Sequence, residues 1–360
     1  MKIAFLAQRH SIHTVRWVNA LAERGHDVHI ISSTHKGNPL NPNITFHPLP
    51  VPPPTGYFLN AFALRNILKN LQPDLLNAHF ASGYGTLARL SHFHPYILNV
   101  WGSDVYDFPA KSSLHRSLIQ ANLKIADWIV STSHVMAKQT RTVLPDIKKL
   151  SVVPFGIDTT LFTPTSSPKE NDTLVVGTVK SLAPKYGIDL LIRAFALARE
   201  QLEPDLAAKL RLLIVGGGPE ETNLKQLAQA LGIANVTTFV GAVSHSEVPT
   251  YLHQLDVYVA LSRMDSESFG VAILEASACA LPVVVANVGG LTEVVEHDKT
   301  GWIVPKEDWQ AAAQALEFLV RDSQLRSSLG KAGRDFVFTH FDWQKNVSQM
   351  ETVYQNVIEL

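Results

Sequence analysis

"DVYVALSRMDSESFGVAILEASACALPVVVAN", residues 256–287, contains two valine-rich runs separated by a loop and a small, apolar, helix-like run. The valine-rich runs, DVYVALS and LPVVVAN, are typical of buried strands, and GVAILEASAC is typical of a buried helix. Two strands joined by a crossover helix pair in parallel, because the helix returns the chain to the same edge of the sheet. The stretch therefore predicts one βαβ unit of a parallel sheet.

The same alternation of short apolar runs with longer amphipathic segments continues in both directions. In the first half the apolar runs are KIAFLA, HDVHIISS, DLLNAHF, YILNVWG, DWIVSTS and KLSVVPFG. In the second half they are TLVVGTV, RLLIVGG, NVTTFVG, DVYVALS, LPVVVAN and GWIVP. Buried strands that alternate with helices indicate parallel sheets covered on both faces. The predicted fold class is therefore α/β, with doubly wound sheets.

A turn-rich segment, VVPFGIDTTLFTPTSSPKEND, interrupts the alternation near the middle of the chain. Its prolines, glycine and serines are typical of a linker. We predict one domain over residues 1–164, a second over residues 165–340, and a helix over residues 341–360 that packs back across the domain junction. Ligands of such sheets bind outside the carboxyl ends of the strands, so we expect a central cleft between the domains to hold the site.

Composition limits the classes of protein that the chain can form. A hydrophobic content of 46% and a charged fraction of 18% are typical of a globular protein. The only cysteine, Cys279, excludes a disulfide framework and a cysteine-based metal site. The 15 histidines show no His-Glu-x-x-His spacing, and no Asp-x-Asp stands at a strand end, so no metal site is predicted.

Charge is distributed unevenly along the chain. Residues 1–160 carry 15 Lys and Arg against 8 Asp and Glu, and the remainder carries 16 against 24. A signal peptide and a stretch of about 20 apolar residues are both missing from the sequence, so we expect a cytoplasmic protein. The basic first half favours an anionic partner or the inner face of an acidic membrane, with scattered, solvated charge as the alternative. Nucleic acid is not among the predicted partners.

Two glutamates of the opening stretch are candidates for binding a ligand. Glu267 lies in the loop after the first strand, and Glu275 lies about two turns into the helix. Phe269, Gly270 and Val271 occupy the helix N-terminus, where free N–H groups and the macrodipole favour an anion. A loop carboxylate for hydroxyls, N–H groups for phosphates and a helix carboxylate for a diol suit a sugar nucleotide. The alternative is a pair of incidental surface glutamates.

The pattern E-S-F-G-x4-E-A-x-A-x3-P-V-V, and its continuation from Glu267 through Pro305, resembles the signature of glycosyltransferase family 4. These are retaining enzymes of the GT-B fold, with two Rossmann-like domains. The resemblance extends to KYGIDLLIRAF, LLIVGGGPE and FVGAVSHSEVPTYL, and more loosely to HTVRWVNALAERGHDVHIIS, NAHFASGYG and NVWGSDVYDFP in the first half. It implies transfer of a sugar from a nucleoside diphosphate donor, UDP before GDP, to a hydroxyl acceptor, without a metal or another cofactor.

The resemblance also implies roles for individual residues. Glu275 would bind the ribose hydroxyls of the donor and Glu267 the hydroxyls of its sugar. The backbone groups of Phe269, Gly270 and Val271 would hold the sugar and phosphates. The departing phosphate would act as the base that accepts the proton of the acceptor.

In the family, an Arg and a Lys after the first strand of the second domain bind the diphosphate. Here that segment reads GTVKSLAPKYG and places Lys180 and Lys185 one residue before the usual positions, which hold Ser181 and Tyr186. We expect the two lysines to bind the diphosphate as point charges. Solvated loop lysines are the alternative.

Three further positions are expected to line the donor site: Gly217 in IVGGGPE, Val243 in FVGAVSH, and Arg16 in QRHSIHTVRW, which is suited to an anionic group. The glycines of IVGGGPE also fit an ordinary strand-to-helix turn. Relatives often carry a histidine before Gly-Ser-Asp, and this chain has Trp101 there. His79 in NAHFASGYG is the predicted catalytic replacement, with a structural histidine as the alternative.

Two other functions stay open. A sugar-nucleotide epimerase of the same two-domain shape would use the donor without an acceptor, and a non-catalytic two-domain binding protein would only bind it. For the acceptor, the basic first half and the proline-aromatic segment PLPVPPPTGYFLNAF favour a carbohydrate or lipid-linked molecule at a membrane surface, as in cell-surface polysaccharide assembly.

Overall fold

The computed structural model describes residues 1–165 and 172–360. The chain forms two compact units, Met1–Phe155 with Gln344–Leu360, and Gly156–Trp343. The limits predicted from the sequence, residues 164 and 340, differ from these divisions by nine and three residues. Part of the predicted linker, the Ser-Ser-Pro run at residues 166–168, lies outside the described residues.

A single parallel sheet forms the centre of the first unit. Its strands are β1 Lys2–Leu6, β2 Asp27–Ser32, β3 Thr45–Pro48, β4 Leu75–His79, β5 Tyr96–Val100, β6 Trp128–Ser131 and β7 Leu150–Val152. The strand order is β3-β2-β1-β4-β5-β6-β7, and every pair is parallel. Every residue of β4 and β5 is buried, as expected for strands covered on both faces.

Helices follow most strands of this unit. They are α1 Ile12–Glu23, α2 Gly56–Leu59, α3 Ala61–Leu71, α4 Gly83–Ser91, α5 Asp107–Ala110, α6 Ser113–Ile125 and α7 His134–Val143. Helix α1 begins where the Ser11 side chain accepts a hydrogen bond from the N–H of Thr14. Its buried residues include Val15, Val18 and Leu21, so one apolar face packs on the unit's core.

The second unit repeats the arrangement with a sheet of six described strands. They are β8 Leu174–Val179, β9 Leu210–Val215, β10 Thr237–Gly241, β11 Val257–Ala260, β12 Val283–Ala286 and β13 Trp302–Val304. The order is β10-β9-β8-β11-β12-β13, again all parallel. This is the order of a dinucleotide-binding sheet, in which the direction of winding reverses between β8 and β11.

The helices of the second unit are α8 Ile188–Gln201, α9 Pro204–Lys209, α10 Glu221–Ala230, α11 Val248–Leu252, α12 Val271–Ala278, α13 Trp309–Arg321 and α14 Ser323–His340. Short 3-10 helices cover Pro184–Tyr186, Ala234–Val236, His245–Glu247 and Gly289–Glu293. In both sheets the chain winds outward from a central strand first in one direction and then in the other, which confirms the predicted doubly wound α/β class. The βαβ unit expected for residues 256–287 is β11-α12-β12.

The last helix, α15 Trp343–Ile358, joins the first unit from Gln344 onward. Arg24 donates to the backbone and side-chain oxygens of Gln344 and pairs with Glu351. His26 Nε2 lies 2.8 Å from Glu351 Oε1. These charged contacts hold α15 against the end of α1.

Among the described residues, none of the helices combines the length and the hydropathy required to cross a bilayer.

Replacing Glu351 with glutamine is expected to destabilise the first unit. Burial alone raises the pKa of the Glu351 carboxyl, but hydrogen bonds from His26 and Arg24 lower it by more, so its pKa lies below the usual value. The ionised form therefore stabilises the fold above the unfolded pKa of about 4.3, and this contribution is lost as the pH falls through the folded pKa. At pH 7, Glu351→Gln should lower the free energy of unfolding by about 1–3 kcal/mol in urea titrations.

A matched control is Glu359→Gln, an exposed carboxylate just beyond the same helix. It should change stability by less than about 0.5 kcal/mol. Equal stability of wild type and Glu351→Gln at pH 7 would contradict the role given to this carboxylate. The role would also be contradicted if the unfolding free energies of wild type and Glu351→Gln differed by as much at pH 3 as at pH 7.

Candidate functional site

The candidate site lies at the edge of the second sheet where β8, β11 and β12 end. Lys180 directly follows β8, Glu267 lies in the loop after β11, and Gly289 comes soon after β12. Because the strands are parallel, their carboxyl ends meet at one edge of the sheet. Lys180 and Glu267, which are 87 positions apart in the chain, are thereby brought into contact.

Lys180 and Glu267 form an ion pair at this edge. Lys180 Nζ donates to Glu267 Oε1 at 2.6 Å, and the two side chains are only 19% and 12% exposed. Burial lowers the pKa of Lys180, but the Glu267 carboxylate and the phenol groups of Tyr258 and Tyr186 raise it by more, so the net pKa is raised. Lys180 is therefore a fixed cation at neutral pH.

Lys185 stands beside Lys180 on a shared aromatic ring. The Nζ of Lys180 lies 4.5 Å from the centroid of the Tyr186 ring, and the Nζ of Lys185 lies 4.7 Å from it. Cations near the face of a tyrosine ring are attracted by its quadrupole. Tyr186, which the sequence analysis treated only as the occupant of a usual lysine position, thus holds both predicted cations in one place.

Two glycines after β12 hold the loop that carries Glu267. Gly290 N donates to the backbone oxygen of Glu267 at 3.0 Å, and Gly289 N donates to Asp265 Oδ1 at 3.1 Å. A Cβ on Gly289 would lie 2.6 Å from two backbone oxygens of this loop, and one on Gly290 would lie 2.6 Å from the backbone nitrogen of Phe269. Only glycine permits these close approaches.

Helix α12 begins directly after the same loop. Gly270 is the N-cap in a left-handed conformation, with φ of 84°. The Phe269 side chain is 4% exposed, and its ring centroid lies 5.6 Å from that of Phe341. Its side chain is therefore committed to packing, which leaves the backbone of Phe269, Gly270 and Val271 as the groups suited to an anion.

Glu275, on α12, is buried and meets a histidine from another loop. Its side chain is 7% exposed, and Oε1 lies 2.8 Å from His245 Nε2. A capping box fixes the His245 turn, in which the Ser244 N–H donates to Glu247 Oε2 at 2.9 Å. The ring of Phe162 packs edge-on against His245 at 5.5 Å. His245 is thus held where it contacts the carboxylate.

A cavity of about 280 Å³ joins several of the predicted residues. Its lining consists of Val179, Lys180, Ser181, Val215, Gly216, Gly217, Ala242, Val243, Val248 and Glu275. Four predicted positions, Lys180, Gly217, Val243 and Glu275, therefore share one cavity. Glu267 is linked to the same group through its ion pair with Lys180.

The glycine run after β9 packs against the loop that follows β8. A Cβ on Gly216 would lie 2.8 Å from the carbonyl carbon of Lys180, and one on Gly218 would lie 2.7 Å from that of Leu182. Both glycines have positive φ, whereas Gly217 between them does not and lines the cavity. The outer two glycines therefore serve the close approach of two loops.

The first unit places His79 at the end of β4, behind other side chains. His79 is 2% exposed, its Nδ1 lies 3.1 Å from Thr14 Oγ1, and its ring centroid lies 4.4 Å from that of Trp101. Burial, followed by the proximity of His13, lowers the pKa of His79 to about 3, so the imidazole is neutral. Its predicted catalytic role stays a prediction.

Two polar residues lie in the same unit, the predicted Arg16 and Asp104. Arg16 is half-buried on α1, two residues after Thr14. Asp104 is buried and accepts hydrogen bonds from the N–H groups of Ala81 at 2.8 Å and Gly102 at 2.9 Å. Asp104 thus acts as a cap for two loops.

Sequence reasoning missed His245 and the shared role of Tyr186. The run Ser244-His245-Ser246-Glu247 carries a capping-box spacing that predicts the turn, but the spacing does not predict that the histidine reaches Glu275. Among the described residues, clusters of three or more His, Cys, Asp and Glu with metal-binding geometry are not found.

Two family models match this chain. Residues 162–336 match the model described as glycosyl transferases group 1, and residues 2–133 match that described as glycosyl transferase 4-like. The N-acetyl-alpha-D-glucosaminyl L-malate synthase of Bacillus anthracis is 28% identical, over 94% of this chain and 91% of that protein. The GDP-mannose-dependent alpha-(1-6)-phosphatidylinositol monomannoside mannosyltransferase of Mycobacterium tuberculosis H37Rv is 34% identical, over 54% of this chain and 52% of that enzyme.

Solved structures share the fold across the whole chain. Sucrose-phosphate synthase from Thermosynechococcus elongatus superposes with a TM-score of 0.85 and 22% identity, covering 100% of this chain and 99% of that one. Anabaena HepE in complex with UDP and glucose gives a TM-score of 0.82 and 19% identity, with 99% of each chain covered.

Replacing Gly290 with alanine is expected to disturb the loop that carries Glu267. Gly290 does not have a positive φ, so an alanine there meets a steric conflict with the loop backbone and no backbone strain of its own. Overpacking of this kind should lower the free energy of unfolding by about 1–3 kcal/mol in urea titrations. Thr292→Ala, in the same turn, is the control and should stay near wild type. A Gly290→Ala protein as stable as wild type would refute the close approach.

Proposed function

The chain belongs to the group 1 glycosyltransferases, retaining enzymes of the GT-B fold that transfer a sugar from a nucleotide-sugar donor, and we propose that its donor is a UDP-sugar held by the second unit. One observation carries the binding of a nucleotide sugar: Lys180, Glu267, Glu275 and the N-terminus of α12 converge at one strand-end edge. The choice of UDP before GDP follows from the family resemblance. The convergence supplies a cation for phosphates and two carboxylates for hydroxyls.

The donor's parts fit the groups at this edge by charge and hydrogen-bonding capacity. The cavity of about 280 Å³ takes part of the nucleoside, and Glu275 accepts hydrogen bonds from the ribose hydroxyls, because an ionised carboxylate only accepts and hydroxyls donate. The diphosphate lies against Lys180 and the N–H groups at the start of α12. Glu267 accepts from hydroxyls of the sugar.

The Lys180–Glu267 ion pair prepares both residues for this donor. Each charge satisfies the other at 2.6 Å. A bound diphosphate offers the lysine oxygen acceptors, and the sugar hydroxyls offer the glutamate new donors. The desolvation cost of the buried pair is therefore already met by the fold before the donor arrives.

In the reaction, the bond between the anomeric carbon and the diphosphate oxygen breaks, and a bond to the acceptor oxygen forms on the same face of the sugar. The departing phosphate oxygen takes the acceptor's proton. Negative charge grows on the diphosphate as the bond breaks, and Lys180, Lys185 and the α12 N-terminus stabilise it electrostatically. The raised pKa of Lys180 keeps it charged throughout the physiological range.

His245 is an added positioning residue in this proposal. It contacts Glu275 at 2.8 Å from a turn that a capping box and Phe162 hold in place. A carboxylate oxygen tied to His245 fixes the rotamer of Glu275 and leaves the other oxygen for the ribose. Orientation of this kind reduces the entropy lost when the donor binds.

For the acceptor, we propose a carbohydrate or lipid-linked hydroxyl at the inner face of a membrane. The first unit's share of the chain is basic, with 15 Lys and Arg against 8 Asp and Glu over residues 1–160. Its surface also exposes Leu59 and Phe62, which are 67% and 72% exposed. A relative at 34% identity is named as a mannosyltransferase acting on a phosphatidylinositol mannoside.

A nucleotide screen tests the donor proposal. We expect UDP to raise the melting temperature of the full chain and UDP-sugars to yield a product only when an acceptor is added. Stabilisation by GDP alone would replace UDP with GDP, the nucleotide named for the mycobacterial relative. Formation of an epimeric sugar as the product, without any acceptor, would establish an epimerase. Binding without conversion under any acceptor would favour a binding protein.

Glutamate variants test the two carboxylate roles separately. Glu275→Ala should weaken UDP binding by about 10- to 100-fold, the loss of charge-assisted hydrogen bonds, as measured by calorimetry. Glu267→Ala should leave UDP affinity within a few-fold of wild type and lower turnover by roughly 100-fold, because it acts near the reacting carbon. Glu221→Ala is the control, at the start of α10, where the half-buried glutamate pairs with Lys225 away from the proposed site. Wild-type affinity and turnover in both variants would remove the assignments.

A further inference from the structure

The first unit contains a second cavity, also of about 280 Å³, that the donor proposal does not use. Its walls include Tyr57 on α2, Gly83 at the start of α4, Phe108 on α5 and Leu118 on α6. These segments follow the carboxyl ends of β3, β4 and β5. The cavity therefore lies at the edge of the first sheet where doubly wound folds bind their ligands.

Aromatic rings support the cavity on two sides. Tyr57 lies so close to Gly83 that a Cβ there would be 2.5 Å from the ring, and Tyr57 packs edge-on against buried Tyr84 at 5.3 Å. On the other side, Phe108 packs edge-on against His115 at 4.7 Å, and His115 Nδ1 lies 2.7 Å from Ser112 Oγ. Each wall is therefore tied to another element, which keeps the space open.

The cavity and its mouth are predominantly apolar. Phe58 and Leu114 line it and are 53% and 76% exposed. Leu59 and Phe62, which are close to Phe58 in the chain, are 67% and 72% exposed. The hydroxyl of Thr86 in the wall already donates to the backbone oxygen of Ser82 at 2.5 Å. A sugar would find few free polar partners here, whereas a hydrocarbon chain would bury the exposed rim.

A cation stands beside this apolar cavity. Lys111 is exposed, with its Nζ 5.6 Å from the centroid of the Phe108 ring in the wall. An apolar cavity flanked by a cation complements an amphiphile with one hydrocarbon chain and an anionic head group. At about 280 Å³ the cavity is just below the ~300–1,000 Å³ of sites for whole small molecules, so it suits the end of a chain.

We infer that this cavity binds the end of the hydrocarbon chain of an anionic, lipid-linked acceptor. The inference rests on the lipid-linked acceptor of the proposed function and adds the residues that recognise the lipid. The chain enters past Phe58 and Leu114, and the anionic head group stays outside beside Lys111.

The test uses the full chain and a fluorescent probe, 11-(dansylamino)undecanoic acid, below its critical micelle concentration. We expect saturable binding of one probe per chain. Leu118→Trp, which fills the cavity, should weaken binding at least tenfold, and Lys111→Glu should weaken it severalfold. Leu231→Ser, at an exposed leucine of the second unit, is the matched control and should bind as wild type does. Phe58→Ser, a change confined to the exposed rim, replaces Leu118→Trp if that variant misfolds.

Three outcomes would overturn the inference: an absence of probe binding by wild type, equal binding by Leu118→Trp or Phe58→Ser, and binding to phosphatidylglycerol vesicles without binding of the monomeric probe. The last would mean that the rim contacts a bilayer and the cavity stays empty. UDP calorimetry on the same proteins separates the two proposals. Retained UDP binding with no probe binding removes only this inference, and probe binding without any nucleotide binding removes only the proposed donor.

Discussion

The contact between the Lys180 ammonium and the Glu267 carboxylate depends on a constraint that governs the whole second unit: parallel strands end together. Lys180 follows β8 and Glu267 follows the adjacent strand β11, so the sheet brings opposite charges within 2.6 Å. A buried ion pair of this kind contributes little net stability, because desolvation offsets the attraction. Its contribution is to position the two charges, since the fold itself holds both of them at the strand ends.

Glycines make that position possible. Gly216 allows the β9 end to approach the backbone of Lys180, and Gly290 allows the turn after β12 to approach the loop of Glu267. In each case the neighbouring atom is backbone, which cannot move aside as a flexible side chain would. Backbone packing between the ends of four strands, β8, β9, β11 and β12, therefore supports the charged side chains of the site.

The sequence predicted the sheets and most of the charged site for a clear reason. Strand and helix periodicity is local, and Glu267, Glu275 and Lys180 lie in segments whose place at strand ends follows from that periodicity. The contact of His245 with Glu275 and the shared ring of Tyr186 depend on which loops pack together across the sheet edge, and no local spacing encodes that. The βαβ pattern could place His79 at a strand end, but could not show that Trp101 and Thr14 cover it.

The carboxyl-end edges of the two sheets carry different chemical groups. The second sheet carries Lys180, which Glu267 keeps charged, and Glu275, which contacts His245. The first sheet carries the neutral His79 and the buried Asp104, which accepts hydrogen bonds from backbone N–H groups. It also carries an apolar cavity lined by exposed aromatic and leucine side chains. Since strand order alone is similar in both, the difference arises from the residues in the loops after each strand. A duplicated architecture thus supplies one polar, charge-recognising edge and one edge that is suited to hydrocarbon.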